Sequence, residues 1–201
     1  NAPYIRKKFS EIVEKVHPDV VHHHNITLLG YDILKKRSNY LSLYTAHDFW
    51  LICPTSNLFK NNDSICLEKS CFTCALASDR PPQVWRSFKS FKTAIKEVDL
   101  VITPCNYVQR RLMQEINVKS FTLPNFVPYP PDNVRPASLS NYFLFVGMLE
   151  THKGILNLLK LFKDFRNEIN AKLVIAGEGS LKNCIRKFIE SNSLGNLISY
   201  L

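Results

Sequence analysis

The stretch Tyr40-Leu41-Ser42-Leu43-Tyr44-Thr45-Ala46-His47-Asp48 decides how this chain is to be read. Its first six residues are apolar or β-forming, and a histidine and an acid follow where the run ends. A strand held between layers of helices carries polar groups only at a cost, whereas its carboxyl end opens onto a crevice. His47 and Asp48 are therefore expected at the end of a parallel strand, facing whatever fills that crevice.

Outward from this point the chain alternates between helical and strand-like patterns. Ile5, Phe9, Ile12, Val13 and Val16 recur at helical spacing, His17-Pro18 interrupts them, and Asp19-Val20-Val21-His22 restarts as a strand. Residues 27–34 suggest a helix, and residues 49–82 read as a loop or small insertion with four cysteines and no clear period. Trp85, Phe88, Phe91, Ile95 and Val98 then share a helical face, followed by a strand at 99–102, a helix at 107–115 and a strand at 119–123. Five prolines between 124 and 140 mark an interdomain linker. Beyond it stand a buried-type strand at 142–147, an amphipathic helix at 155–165, a strand at 171–177, a helix at 181–189 and a last strand at 197–201.

Alternation of this kind predicts an α/β protein of doubly wound parallel sheets with helices on both faces. Residues 1–123 form one Rossmann-like domain containing the cysteine-rich loop 49–82, 124–140 a linker, and 141–201 the start of a second. Both domains are expected to be incomplete, since the chain opens inside a helix and stops on a strand.

Lys and Arg number 26 against 17 Asp and Glu, a formal charge of +9 that favours anionic partners such as nucleotide phosphates or acidic lipid surfaces. No run approaches the ~18–20 apolar residues of a membrane span, and no signal-peptide pattern opens the chain. The expected location is the cytoplasm, with peripheral contact to an anionic inner-membrane surface. Neither a ββα zinc-finger pattern nor an aromatic-basic RNA-binding motif occurs, so nucleic acid is not an expected partner.

Cys53, Cys66, Cys71 and Cys74 are separated by twelve, four and two residues. Two readings stay open: a structural Zn site, for which the last C-x-x-C is the typical bite, or free thiols with Cys71 and Cys74 as a redox pair. Cys105 and Cys184 read as packing residues. In Val21-His22-His23-His24-Asn25, strand alternation puts His22 and His24 on one face and His23 on the other. Two imidazoles are too few for a metal site, and His24 or Asn25 is instead a candidate acceptor-side contact.

In order along the chain stand HPDVVHHHN, YTAHDFWLICP, CLEKSCFTC, DLVITPCNYVQRRL, LPNFVP, FLFVGMLETHKGI and LVIAGEGSLKN. This ordered set resembles the middle of a family 4 retaining glycosyltransferase of the GT-B fold, in which two Rossmann-like domains face a cleft. The resemblance implies transfer of a sugar from a UDP- or GDP-linked donor to a glycan, lipid-linked or small-molecule acceptor, with retention of anomeric configuration. It implies that His47 faces the donor sugar with Asp48 beside it as the catalytic pair, and that Lys153 contacts the donor diphosphate, flanked by Gly147 and Gly154. It also implies that the Gly177-Glu178-Gly179 turn lies beside the nucleotide. A cation next to free N–H groups at a helix N-terminus suits a diphosphate on physical grounds as well. Such enzymes require no cofactor for their chemistry.

Three departures from the family stand out. The usual glycine-rich turn after the first strand and the later pair of glutamates are missing, and Met148 stands where many members have Arg. The activity of these 201 residues by themselves is thereby left open, the alternative being a non-catalytic GT-B remnant that binds a nucleotide or a partner.

Overall fold

The computed structural model describes residues 3–36, 38–60, 64–129 and 141–201, so the 130–140 part of the expected linker lies outside the described residues. Two compact units result, Asn1–Val127 and Pro128–Leu201.

The first unit opens with α1 (Pro3–Val16), β1 (Val20–His24), a 3-10 turn at Tyr31–Leu34, and β2 (Leu41–Thr45). Only the end of the helix suggested for 27–34 forms. Asn25 takes a left-handed φ of 32°, its Oδ1 accepts the Thr27 N–H, and the Leu29 and Gly30 N–H groups close a turn on Ile26 O. A hairpin of β3 (Phe59–Lys60) and β4 (Ser64–Ile65), followed by α2 (Cys71–Ala77), organises the segment that lacked a period. A 3-10 turn at Val84–Ser87 then leads into α3 (Lys89–Lys96), β5 (Leu100–Thr103), α4 (Asn106–Glu115) and β6 (Ser120–Thr122).

Four of these strands lie parallel in the order β1-β2-β5-β6, their order along the chain. Right-handed crossovers that all step the same way place the connecting elements on one face. Burial agrees: His23, Ser42, Tyr44, Val101 and Thr103 alternate onto a buried face, while Val20, Leu41 and Phe121 on the other remain exposed. Among the described residues, the second face of the doubly wound pattern is open.

The second unit contains β7 (Tyr142–Val146), a 3-10 turn at Thr151–Lys153, α5 (Ile155–Asp164), β8 (Lys172–Ala176), α6 (Lys182–Ser191) and β9 (Ile198–Tyr200). Its strands are parallel in the order β7-β8-β9. Ile155, Leu159 and Phe162 form one stripe of α5 and pack with Leu173, Ile175 and Ile185 in a closed core. Each such side chain contributes about 1.5–3 kcal/mol of burial free energy. Among the described residues β7 lies at the edge of this sheet, with Leu144 half exposed and Val146 71% exposed, where a buried-type strand was expected at 142–147.

Candidate functional site

In the first unit the parallel register pairs His24 with Thr45, so β1 and β2 end together and His47 comes alongside. His24 Nδ1 and His47 Nε2 lie 2.9 Å apart, and their rings stack with centres 5.2 Å apart. His22, two residues earlier on the same face, places its ring 4.1 Å from His24 and its Nε2 2.8 Å from Thr45 Oγ1. Burial, then the neighbouring imidazoles, lowers the His22 pKa below its ordinary value. The His24–His47 contact needs an N–H on one ring and a lone pair on the other. His23 points the other way and packs with Phe9. Burial, with the adjacent imidazoles, pushes its pKa down to about 4.

Asp48 turns back on its own segment, Oδ1 accepting the Trp50 N–H at 2.8 Å, so the carboxylate caps the turn that follows β2. Arg86, which no sequence pattern singled out, holds that turn from outside. Its Nη1 donates to Trp50 O at 2.6 Å and its Nε to Gln83 Oε1 at 2.7 Å. The guanidinium lies 4.7, 5.1 and 5.6 Å from the ring centres of Trp85, Trp50 and Phe91, a cation–π cage. Burial pushes the Arg86 pKa down to about 10. Asn25, beyond β1, spends its side-chain oxygen on the local turn to Thr27.

No disulfide joins Cys53, Cys66, Cys71 or Cys74. Cys53 Sγ is 3.2 Å from Thr55 Oγ1, Cys66 Sγ donates to Glu68 O at 3.7 Å, and Cys74 Sγ donates to Phe59 O at 3.9 Å. Burial raises the pKa of Cys66 and Cys71 above the ordinary thiol value. Among the described residues no group of three or more His, Cys, Asp or Glu side chains is placed to hold a metal ion. Cys105 and Cys184, expected as packing residues, are exposed: the first stands at the start of α4 and the second on the outer side of α6.

In the second unit β7 and β8 end side by side, Val146 against Ala176, and each runs into a glycine. The Gly147 N–H donates to Ala176 O at 3.0 Å, the Leu149 N–H to Glu178 O at 2.9 Å, and the Leu181 N–H to Leu149 O at 3.0 Å. The two strand-to-helix turns thus pack backbone against backbone. A Cβ on Gly177 would stand 1.9 Å from Gly147 O, and one on Gly179 2.5 Å from Leu149 O, so only glycine permits the approach. Glu150 bridges the same turns, accepting from the Ser180 N–H at 2.9 Å and the Ser180 hydroxyl at 2.7 Å. Those bonds lower the Glu150 pKa, the backbone one most. Glu178 accepts from Lys182 Nζ at 2.6 Å on the surface.

Helix α5 starts after Gly154, whose left-handed φ of 75° suits glycine, and no side chain caps it. Its first N–H groups therefore stay available, and the exposed Lys153 stands directly before them. Among the described residues no ion pair engages Lys153. A positive helix end joined to a cation, beside glycine-lined backbone, has the charge and the donors that suit an oxyanion. Gly147, Lys153, Gly154, Gly177, Glu178 and Gly179 are all brought to the carboxyl end of the β7–β8 pair. Among the described residues no helix is long and apolar enough to cross a membrane.

Residues 1–129 match the pattern of Glycosyltransferase Family 4, and residues 132–201 that of Glycosyl transferases group 1. The "uncharacterized 42.6 kDa protein in cps region" of Klebsiella pneumoniae is 26% identical over 201 residues, covering 98% of this chain and 50% of that protein. The chain thus spans about half the length of this curated relative. Among solved structures, TarM superposes with a TM-score of 0.64 at 17% identity, over 96% of this chain and 35% of TarM. The pneumococcal O-GlcNAc transferase GtfA, in complex with UDP and GlcNAc, does so with a TM-score of 0.58 at 14% identity, over 98% of this chain and 36% of GtfA. At these identities the likeness is one of fold, that of an incomplete GT-B chain.

Proposed function

This chain belongs to glycosyltransferase family 4, and from that premise we propose that it is part of an enzyme moving a sugar from a nucleoside diphosphate to an acceptor hydroxyl with retention at the anomeric carbon. The observation that carries the reading is the uncapped start of α5, with Lys153 and Gly154 at its mouth and the glycine-lined turns of β7 and β8 beside it. In the reaction the bond from sugar carbon to diphosphate oxygen breaks, its electron pair leaving with the phosphate, while the acceptor oxygen forms the new bond and gives up its proton to the departing diphosphate oxygen. Lys153 and the α5 amides hold the departing diphosphate, where preorganised donors act on charge as it develops.

The remaining assignments follow the resemblance. The Gly177-Glu178-Gly179 turn lies along the nucleotide, and His47 faces the donor sugar with its ring oriented by His24. Asp48 acts by capping the turn that carries His47. His24 and Asn25 border the acceptor, a glycan, a lipid-linked sugar or a small molecule. Residues 1–123 serve the acceptor and 141–201 the donor, and the +9 charge favours work at an anionic inner-membrane surface on the cytoplasmic side. The UDP bound by GtfA supports a nucleoside diphosphate donor.

The test is calorimetric titration of the full-length protein with UDP and GDP. Lys153→Ala should weaken binding by about 1.5 kcal/mol, roughly tenfold, with the fold intact by circular dichroism. Unchanged affinity in the folded variant would remove Lys153 from the donor site.

A further inference from the structure

The first unit holds a cavity of about 750 Å³ that glycosyl transfer as described above does not use. Its volume lies in the ordinary range of ligand pockets. Ile52, Phe72, Phe91 and Ile95 give it apolar walls, and the cations Lys69, Arg86, Lys92 and Lys96 stand around it. Among the described residues Glu115 is the one carboxylate on its lining, and it is already bound by Lys69. Lys92 and Lys96 lie one turn apart on the exposed side of α3, and among the described residues no ion pair engages either. Arg86 keeps a buried Nη2 without a hydrogen-bond partner.

Such a site complements a ligand with two parts. A free inorganic anion would gain nothing from the apolar walls, and a neutral hydrocarbon would leave the rim of cations unneutralised. We propose that this cavity binds a single-chain anionic amphiphile, its hydrocarbon chain against Ile52, Phe72, Phe91 and Ile95 and its phosphate or carboxylate head at Lys92 and Lys96. The cavity adjoins the turn after β2: Leu51 and Ile52 belong to its lining, and Arg86, also on the lining, donates to Trp50 O. The chain's only two tryptophans, Trp50 and Trp85, flank the Arg86 guanidinium and so report on occupancy.

The experiment is calorimetric titration of the full-length protein with dodecyl phosphate kept below its micellar concentration, with tryptophan emission followed in parallel. One-to-one binding with a change in emission is expected, together with binding of dodecanol that is about tenfold weaker and no measurable binding of inorganic phosphate. The double variant Lys92→Gln/Lys96→Gln, on an exposed helix face, should weaken dodecyl phosphate about tenfold. Ser87→Phe, which brings a ring into the cavity from an exposed position on its lining, should abolish binding while the circular dichroism spectrum is kept. The proposal is overturned by a folded chain that ignores dodecyl phosphate or by unchanged binding in Ser87→Phe. It is equally overturned by binding that occurs only with anionic vesicles, which would assign adsorption to a surface. Each outcome is independent of donor binding at Lys153.

Discussion

Replacing His23 with leucine should flatten the dependence of stability on pH. The ring sits on the buried face of β1 at 4% exposure, against Phe9, and its Nε2 has no hydrogen-bond partner. Burial holds its pKa at about 4, against about 6.5 for a solvated imidazole. Between those values the unfolded chain binds a proton that the native chain refuses, so stability rises with pH across the interval. The contribution is complete above about pH 6.5 and is lost as the pH falls toward 4. Linkage at about 1.36 kcal/mol per pH unit puts the loss between pH 7.5 and 5 at about 2 kcal/mol from this one side chain. His22, also lowered by burial, adds in the same direction. Urea denaturation of the parent and His23→Leu at pH 7.5, 6 and 5, with m-values compared, measures the difference directly. The variant should lose about 2 kcal/mol less than the parent over that range. Equal losses in the two proteins would refute the burial argument, because the native ring would then be taking up its proton without penalty.

Two further perturbations probe the glycine-lined turns and the histidine pair. Gly177→Ala drives a Cβ to within 1.9 Å of Gly147 O and should cost the second unit about 3 kcal/mol in thermal denaturation. Gly154→Ala meets nothing within 4 Å and should cost only about 1 kcal/mol, from its φ alone; equal costs would argue against backbone contact between the turns. In the full-length protein, His47→Ala should reduce turnover far more than nucleotide affinity, and His24→Ala should cause a smaller loss of the same kind by freeing the His47 ring. Normal turnover per folded His47→Ala molecule would take His47 out of the chemistry.

Much of the architecture was legible because hydrophobic period is a local property. The runs at 40–45 and 171–177 became β2 and β8, the amphipathic run at 155–165 became α5, and strand alternation correctly separated His23 from His22 and His24. The hairpin and α2 within 49–82 carried no period, because their order comes from contacts to other segments, such as the Cys66 N–H to Leu58 O and Arg86 to Trp50 O. For the same reason, the exposure of β7, Cys105 and Cys184 depended on where a sheet ends and which side of a helix is left uncovered.

The sequence alone determined that His47 ends a strand and that Lys153 precedes a helix, since both follow from where an apolar run stops or starts. Only the tertiary structure decided that His47 meets His24, twenty-three residues away, and that Glu150 meets Ser180, thirty residues away. Those meetings are set by the register of neighbouring parallel strands. The need for glycine at 177 likewise comes from the carbonyl of another turn rather than from its own neighbours in the chain.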